Sequence, residues 1–306
     1  MSRHVQFSHT GGTDVLDIVE LPDRRPGDGE TRVAVRAAGL NPFDSKVRTG
    51  AFPVSLPSGQ GAEFAGVVTE VGAGVTDVEI GDEVIGWVNR TAQADFVVVS
   101  AHSLAPKPAE LSWEAAASLG VVMNTARLAI DAVTPSADDV LYISGIAGAV
   151  GMIAAQFALR SGCTVIGTAR ESNHEFVRSL GATLVTPGDD VVERLRAAAA
   201  DHPFTAALDT VGRSQVNVAL ALSIEPARIN SIADHDGPAD FGTLYVGGGK
   251  KTREEMVGYA SELANGTLVL PVRATYPFDQ VRAAYDELEN GHGLGKIVLI
   301  VSAGAH

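Results

Sequence analysis

The chain has 306 residues, of which 45% are hydrophobic and 20% are charged, a balance typical of a folded globular protein. Its 23 lysines and arginines against 37 aspartates and glutamates give a net charge of −14, which disfavours nucleic acid and anionic membranes as partners. The single cysteine, Cys163, excludes an intrachain disulfide framework. The first twenty residues lack the apolar core of a signal peptide, so we expect a cytoplasmic protein.

The first third of the chain predicts an antiparallel β domain. The segments 32–39, 62–72, 82–88 and 94–100 are short, rich in valine and separated by Gly, Pro and Asp. The pattern then becomes helical over 111–133, where Ser112 and Glu114 mark a helix start.

From residue 139 onward, strands and helices alternate. We predict strands at 139–144, 164–169, 183–186, 206–211 and 228–233, and helices at 149–161, 173–180, 189–200 and 214–222. This order is typical of βαβ units, a parallel sheet and right-handed crossovers. The remainder predicts the extended segment LYVG (244–247), a helix over 252–264, a strand over 268–275, a helix over 278–289 and a closing strand over 296–301.

The uncharged run 140–159 is long enough to cross a bilayer as a helix. However, Asp138, Asp139 and Arg160 bracket the run, and its pattern changes from a short β-type segment to a helical one. We therefore interpret this run as a strand, a glycine turn and a helix rather than a membrane span.

The turn in this run, SGIAGAVG (144–151), carries glycines at 145, 148 and 151. A strand that ends in a glycine turn and continues into a helix directs backbone N–H groups and the positive helix end at one point, which suits a pyrophosphate. Gly148 would permit close backbone approach, and Gly151 would permit close helix packing. Ile146 and Ala147 break the familiar G-x-G spacing, and a plain tight turn is the alternative, but the βαβ frame favours dinucleotide binding.

The end of the second strand of this alternation, TVIGTARES (164–172), distinguishes NAD from NADP. A fold that binds NAD is expected to place an acid about 20 residues after the glycines. Here that region holds Thr168, Ala169 and Arg170, and an arginine can pair with a 2′-phosphate, so NADPH is favoured. The alternative is a solvated surface pair between Arg170 and Glu171.

Three other chemistries are disfavoured. The eight histidines form no H-x-x-x-H group and Cys163 has no C-x-x-C partner, so we expect no catalytic zinc. No G-x-S-x-G segment supports a serine hydrolase. The segment VGGGKKT (246–252) is similar to a P-loop, but Leu244 and Lys251 stand where that motif needs glycine and Ser/Thr, which argues against an NTPase.

Several stretches in one order resemble the zinc-free, quinone oxidoreductase-like branch of the medium-chain dehydrogenase/reductase superfamily over nearly the whole chain. They are AAGLNPFDSKVRTG (37–50), GAEFAGVVTEVGAGVTDVEIGDEVIG (61–86), SLAPKPAELSWEAAASLG (103–120), the glycine turn, LDTVG (208–212) and GHGLGKIVLIV (291–301). The resemblance implies an α/β fold: a Rossmann doubly wound parallel sheet plus a GroES-like antiparallel β domain. We expect the GroES-like domain at 1–120, completed by 267–306, and the Rossmann NADP-binding domain at 121–266.

The resemblance also implies a nicotinamide site in the cleft between the domains. Zinc-dependent relatives carry a cysteine at the position of Asn41 and a histidine at the position of Ala62, before the glutamate matching Glu63; their four-cysteine lobe is absent here. The expected cofactor-binding residues are Asn41, Thr125, Gly145, Ala147, Gly148, Ala149, Val150, Gly151, Thr168, Arg170, Asn173, Thr210, Val211, Ile232, Ala233, Val246, Gly247, Gly248 and Lys296.

Without a metal, the expected reaction is hydride transfer from NADPH to a quinone or to the β-carbon of an α,β-unsaturated carbonyl. The candidate catalytic residues are Asn41 and Lys46: either side chain, or a backbone N–H, would stabilise the developing oxyanion, and water or Lys46 would supply the proton. Many members of the branch carry tyrosine at the position of Lys46, and a tyrosine that often holds the 2′-phosphate is replaced by Thr186. A turn-forming Asn41, a solvated Lys46 and a helix-starting Asp44 are the structural alternatives.

Two other functions stay open. The same glycine turn would serve a protein that binds or senses NADPH without physiological turnover. An enoyl-thioester reductase is the third candidate, although the acidic balance disfavours the phosphates of coenzyme A. The expected partner is a small electrophile, and the resemblance suggests a homodimer joined through TLYVG (243–247).

Overall fold

The computed structural model describes residues 1–200, 202–291 and 293–301, and the chain forms two compact units. Unit 1 comprises the described residues of Met1–Val121, Lys251–His292 and Lys296–His306, and unit 2 comprises Val122–Lys250 and Gly293–Gly295, again counting only described residues. Residues 251–266, which we assigned to the Rossmann domain, lie in unit 1.

The strands and helices are numbered in chain order. The strands are β1 (Ser2–Phe7), β2 (Asp17–Leu21), β3 (Glu30–Gly39), β4 (Ser58–Gly59), β5 (Glu63–Val71), β6 (Glu83–Trp87), β7 (Phe96–Ser100), β8 (Leu104–Pro106), β9 (Val140–Ile143), β10 (Thr164–Thr168), β11 (Thr183–Val185), β12 (Ala206–Asp209), β13 (Ile229–Ser231), β14 (Val272–Pro277) and β15 (Lys296–Ile300). The helices are α1 (Pro42–Arg48), α2 (Trp113–Ala116), α3 (Leu119–Val133), α4 (Ala149–Arg160), α5 (His174–Ser179), α6 (Val191–Ala198), α7 (Arg213–Ala221), α8 (Gly237–Phe241), α9 (Arg253–Ala264) and α10 (Val281–Asn290).

Unit 1 is built on a largely antiparallel sheet. Its strands follow the order β14-β15-β3-β5-β6-β8, with β7 also paired to β3, and a second small sheet has the order β2-β1-β4. Every second residue from Thr31 to Ala37 in β3 is buried, as expected where one face of a strand packs on a core. Phe7, Phe64 and Tyr285 are among the largest side chains of that core.

Unit 2 is built on a parallel sheet with the strand order β11-β10-β9-β12-β13. The central strand β9 is buried along its whole length, which explains its continuous apolar sequence. Since strand order reverses beside β9, the carboxyl ends of β9, β10 and β12 border the position where doubly wound sheets bind ligands. The predicted fold class, a doubly wound parallel sheet plus an antiparallel β domain, is confirmed.

Four elements differ from the sequence prediction. Strands β1 and β2 have no predicted counterpart, and β14 begins at Val272 rather than at residue 268. The segment 244–247 is not a full strand: Leu244 forms one parallel bridge with Asn230. The Asn230 amide donates to Val246 O at 2.7 Å and accepts from Val246 N at 2.8 Å, so a side chain replaces the backbone partner of a strand.

Helix α9 explains why residues 251–266 lie in unit 1. It packs against β8, and Met256 on its inner face is fully buried. Thr252 begins the helix with a capping box, in which its hydroxyl accepts from Glu255 N and the Glu255 carboxylate accepts from Thr252 N. The helical pattern was visible in the sequence, but the sheet against which the helix packs was not.

The uncharged run 140–159 contains β9, the glycine turn and most of α4. Within the described ranges, none of the helices combines the length and the apolar composition that crossing a membrane requires.

Candidate functional site

The glycine turn of unit 2 depends on two close contacts. Gly145 has a φ of +62°, and a Cβ there would lie 2.7 Å from Thr210 Oγ1. A Cβ on Gly151 would lie 2.7 Å from Gly145 O and 2.9 Å from Ile146 Cα. Because both distances are shorter than real Cβ contacts, only glycine lets the first turn of α4 lie this close to the strand end.

Ile146 explains the departure from the G-x-G spacing. Its side chain is fully buried against Gly167 of β10, where an added Cβ would lie 2.7 Å from the Ile146 side chain. The Ile146 N–H donates to Thr168 O at 3.3 Å, which ties the turn to β10. A branched residue paired with a glycine on the neighbouring strand therefore replaces a glycine within the turn.

The first turn of α4 presents donors without intrahelical partners. The N–H groups of Ala149, Val150 and Gly151 precede the first i→i−4 acceptor, and no acidic residue stands in this turn. Gly148 is exposed, and Ala149 and Val150 are partly exposed. In the same unit Gly295 N donates to Ala147 O at 3.4 Å. Gly295 also forms a parallel bridge with Gly148. The donors without intrahelical partners and the close-packed glycines fit the pyrophosphate of a dinucleotide.

Asp209, at the carboxyl end of β12, is 1% exposed and accepts hydrogen bonds from both neighbouring strands. Ser144 Oγ donates to Oδ1 and Ser231 Oγ donates to Oδ2, both at 2.6 Å. The N–H groups of Val211 and Gly212 also donate to this carboxylate, at 2.9 and 3.0 Å.

Each of these serine hydroxyls also accepts a hydrogen bond from the backbone of a loop that follows a strand. Ser144 Oγ accepts from Thr210 N at 3.1 Å, and Ser231 Oγ accepts from Ala233 N at 3.0 Å. A single carboxylate thereby fixes the loops that follow β9, β12 and β13. We predicted that the DTVG loop (209–212), with Thr210 and Val211, and Ala233 lie near the cofactor. We gave Asp209 itself no role, although a buried charge at a strand end in LDTVG was the available signal.

Further residues from the expected cofactor-binding set also lie together in unit 2. A Cβ on Gly247 would be 2.5 Å from Ile232 Cγ2 and 3.4 Å from Thr125 Cγ2, so these three positions are in contact. Val246 is held by the Asn230 amide. Gly248 is exposed, with nothing within 4 Å of the position of an added Cβ.

The residues predicted to distinguish NADP from NAD follow β10. Arg170 is exposed and its carbonyl accepts from Asn173 N at 2.9 Å, whereas Thr168 is buried with its hydroxyl 3.4 Å from Tyr142 Oη. In the described part of the chain the Arg170 guanidinium forms no ion pair, so the surface pair with Glu171 is not present. Arg170 is therefore available to an anion, whereas the Thr168 side chain belongs to the core.

Unit 1 holds the predicted catalytic residue Asn41 in a buried polar cluster. Asn41 is 4% exposed and immediately precedes α1. Its Nδ2 donates to Glu63 Oε1 at 2.9 Å, and its Oδ1 accepts from Lys296 Nζ at 2.7 Å. Asn41 is therefore more than a turn-forming residue, because its amide is bonded at both ends.

Lys296 has a different environment from the one we expected. We predicted a cofactor contact, but Lys296 is 3% exposed and its ammonium donates to Leu40 O, Asn41 Oδ1 and Glu63 Oε1, each at 2.7 Å. These acceptors use all three ammonium hydrogens, so the charged end of Lys296 is committed within unit 1. The sequence separation from Asn41 hid this contact.

Glu63 connects the cluster to the start of α3. Its Oε2 accepts from Val121 N at 2.7 Å, and a carboxylate at a helix N-terminus is stabilised by the helix dipole. Gly39 leaves room for it, since an added Cβ would lie 2.7 Å from Glu63 Oε1 and 2.4 Å from Ala117 O.

Lys46, the second predicted catalytic residue, lies one turn along α1 and is partly exposed. Across the described ranges its ammonium forms no ion pair. The same helix presents Phe43, 49% exposed, whose ring centroid is 5.3 Å from that of Phe52. The exposed side of α1 thus combines a cation with aromatic surface.

Asp44 caps α1, as its structural alternative implied, by accepting from Asn41 N at 2.9 Å. Burial raises the pKa of Asp44 to about 7, against opposing contributions from the Asn41 N–H and Lys296. The folded protein therefore retains a proton here that the unfolded chain releases near its ordinary pKa of about 4. The stabilising contribution of this group is complete below that pH and is lost as the pH rises through about 7.

Replacing Asp44 with asparagine should remove this pH dependence. The free energy of unfolding of Asp44→Asn relative to the wild-type protein is expected to rise between about pH 4 and about pH 8, because the neutral amide does not ionise. Urea unfolding across this range measures the difference, with the exposed Asp28→Asn as the control. If the difference in free energy of unfolding between Asp44→Asn and the wild-type protein stays constant with pH, the pKa of Asp44 is not raised by folding.

In the part of the chain that the structure describes, no three His, Cys, Asp or Glu side chains are grouped as metal ligands. Cys163 is buried, its Sγ donates to Ala158 O at 3.3 Å, and burial raises the pKa of its thiol. His174 is also buried, with its ring nitrogens next to Ala169 O and the Arg178 guanidinium. His292 and His306 lie outside the described residues.

Comparison with known families gives two matches. Residues 27–109 match the alcohol dehydrogenase GroES-like domain, and residues 149–261 match the zinc-binding dehydrogenase family. The first lies in unit 1, and the second covers most of unit 2 from the start of α4.

Individual relatives cover nearly the whole chain. Quinone oxidoreductase 1 of Escherichia coli (strain K12) is 29% identical, over 98% of this chain and 100% of the relative. The chloroplastic NADPH-dependent alkenal/one oxidoreductase of Arabidopsis thaliana is 28% identical, over 96% of this chain and 78% of the relative. The crystal structure of Escherichia coli quinone oxidoreductase complexed with NADPH superposes with a TM-score of 0.86 at 28% identity, covering 98% and 100% of the two chains.

Proposed function

We propose a reaction for this chain from the premise that it belongs to the quinone oxidoreductase-like branch of the medium-chain dehydrogenase/reductase superfamily, and is an oxidoreductase. The proposed reaction is the NADPH-dependent, metal-free reduction of a quinone or of an α,β-unsaturated carbonyl. The observation that carries it is the glycine turn with the N–H groups at the start of α4 that have no intrahelical partner. The names of relatives that act on quinones and on alkenals or enones support the substrate class.

Unit 2 contains the residues that would hold the cofactor. The N–H groups of Ala149, Val150 and Gly151 would bind the pyrophosphate, and Arg170, with Asn173 beside it, would pair with the 2′-phosphate. The contacting positions Thr125, Ile232 and Gly247 would border the nicotinamide end. When bound, NADPH supplies the hydride.

Unit 1 contains the residues that would act on the substrate. An amide hydrogen of Asn41 would donate to the carbonyl oxygen on which negative charge develops, which is how an oxyanion is stabilised in a water-poor site. The ammonium of Lys46 would add positive charge or a proton. The exposed ring of Phe43, beside Phe52, would contact a flat apolar substrate such as a quinone.

Two alternative functions would share features of this site. A protein that binds NADPH as a sensor would share the turn of unit 2. An enoyl-thioester reductase would share the chemistry, and polyketide synthases are among the relatives by name.

We also propose a homodimer joined through residues 243–247 and a cytoplasmic location. The mass of the protein in solution tests the dimer.

Turnover of NADPH tests the proposal. The purified protein, kept in EDTA, is mixed with NADPH and separately with ortho-naphthoquinone, phenanthrenequinone, an alkenal and a crotonyl thioester, and the loss of NADPH absorbance is followed. Oxidation by a quinone or the alkenal supports the proposed reaction, and oxidation by the thioester alone supports the enoyl reductase. Tight NADPH binding with no turnover across the panel supports the sensor.

Replacing Arg170 with alanine should weaken NADPH binding by about tenfold and leave NADH binding nearly unchanged. A charge-assisted pair contributes about 1.5–3 kcal/mol, and the exposed position of Arg170 places the loss at the lower end. Fluorescence titration with both nucleotides measures it, with the exposed Arg25→Ala as control. An equal loss for both nucleotides would show that Arg170 does not recognise the phosphate.

A further inference from the structure

The Glu63–Lys296 ion pair of unit 1 is buried without an evident packing reason. The side chains of Glu63 and Lys296 are 1% and 3% exposed, and Glu63 Oε1 lies 2.7 Å from Lys296 Nζ. Taking both charges out of water is costly, and an apolar pair of similar volume often gives equal or greater stability. The pair therefore calls for an explanation beyond holding β5 to β15.

The contacts of the Asn41 amide give that explanation. Lys296 Nζ donates to Asn41 Oδ1 at 2.7 Å, and Glu63 Oε1 accepts from Asn41 Nδ2 at 2.9 Å. If the amide turned over, its NH₂ would face an ammonium and its oxygen would face a carboxylate. Both new contacts would be repulsive, so the two charges together permit one orientation of the amide.

The contact with Lys296 also changes the strength of the amide as a donor. A cation on the amide oxygen draws electron density away from the nitrogen, which makes the N–H groups stronger donors in a low-dielectric site. One hydrogen of Nδ2 is used by Glu63, and within the described part of the chain the other has no acceptor. The cluster thus orients and polarises the second N–H of Asn41 Nδ2, which is available to a ligand.

We propose that Lys296 and Glu63 are positioning residues that orient and polarise the Asn41 amide, so that its free N–H donates to the oxygen of a carbonyl or quinone substrate. This inference rests on the proposed function. As a hydride adds to the β-carbon of an enone, the electron pair moves through the conjugated system onto the carbonyl oxygen, and a proton from water later completes the reduction. The Asn41 N–H stabilises that oxygen while it is negative.

Two variants separate positioning from simple structural support. Lys296→Met alone leaves the Glu63 carboxylate buried without its cation, and it should be strongly destabilised. The double variant Glu63→Gln/Lys296→Met removes both charges and should keep a free energy of unfolding close to that of the wild-type protein. Its kcat with a quinone should nevertheless fall by about a hundredfold to a thousandfold, the loss typical of one oxyanion donor. NADPH affinity, measured by fluorescence titration, should stay within about twofold.

Adding Asn41→Ala to the double variant gives the sharpest comparison. In the wild-type background Asn41→Ala should lower kcat by the same factor as the double variant, but in the double-variant background it should add little, because residues that act as a unit are not additive. A full additional loss in that background would overturn the inference. The matched control is Glu83→Gln/Lys107→Met, which removes another ion pair of a buried lysine in unit 1, 2.9 Å apart, and should leave kcat unchanged.

A readout independent of turnover tests the orientation itself. The side-chain amide signals of Asn41, assigned in a ¹⁵N–¹H spectrum by their loss in Asn41→Asp, should move to the positions of solvated amides in the double variant. Unchanged signals would overturn the inference even if turnover fell. If the wild-type protein oxidises no NADPH with any substrate, both the proposed reaction and this inference are wrong. If the wild-type protein is active and the double variant is equally active, only this inference is wrong.

Discussion

Replacing Asp209 with alanine is expected to weaken NADPH binding by about a hundredfold, which corresponds to about 2.7 kcal/mol. The substitution removes the acceptor of the Ser144 and Ser231 hydroxyls and of the Val211 and Gly212 N–H groups. The loops after β9, β12 and β13 then lose their shared connection. Buried donors without an acceptor cost about 1–3 kcal/mol each, so the free energy of unfolding should also fall by about 4 kcal/mol or more.

Asp139 provides the matched control for this prediction. It lies just before β9, at the opposite end of the same sheet, and its carboxylate accepts from Ser136, Thr205 and Arg228. Asp139→Ala should lower the free energy of unfolding without changing the NADPH affinity of the folded protein. Urea unfolding and fluorescence titration measure the two effects. Wild-type NADPH affinity in folded Asp209→Ala would show that the loops keep their positions without the carboxylate.

Replacing Gly151 with alanine should also reduce NADPH binding by about a hundredfold and destabilise unit 2 by about 1–3 kcal/mol. The added Cβ would lie 2.7 Å from Gly145 O and 2.9 Å from Ile146 Cα, both backbone atoms that cannot move aside alone. Helix α4 must shift away from the turn, and the N–H groups of its first turn would move with it.

The same substitution at Gly258 is the control. Gly258 is an exposed residue within α9 with nothing within 4 Å of an added Cβ, so Gly258→Ala should stabilise the protein by about 1 kcal/mol. The same substitution is therefore expected to lower the free energy of unfolding at Gly151 and to raise it at Gly258. Urea unfolding measures both changes. A stabilised Gly151→Ala variant with normal NADPH affinity would contradict the close packing of the turn.

The local sequence pattern was sufficient to predict most strands and helices of unit 2. The alternation of short apolar runs with helical segments predicted the parallel sheet, because a buried central strand such as β9 needs apolar residues on both faces. The change from a β-type to a helical pattern also placed the start of α4 correctly at residue 149. The sequence pattern was less informative for β1 and β2, whose polar and apolar residues are mixed: β1 buries Ser2, Val5 and Phe7, and β2 has no buried residue.

The amino-acid sequence by itself determined the fold class, the family resemblance and the residues of the glycine turn, because these depend on local periodicity and on contiguous motifs. Only the tertiary structure decided the surroundings of Asn41, since Lys296 reaches it across 255 positions of sequence and Glu63 across 22. The same holds for Asp209, whose partners Ser144 and Ser231 come from different strands. Buried charges pair through strand register, and register between distant strands leaves no mark in the local sequence.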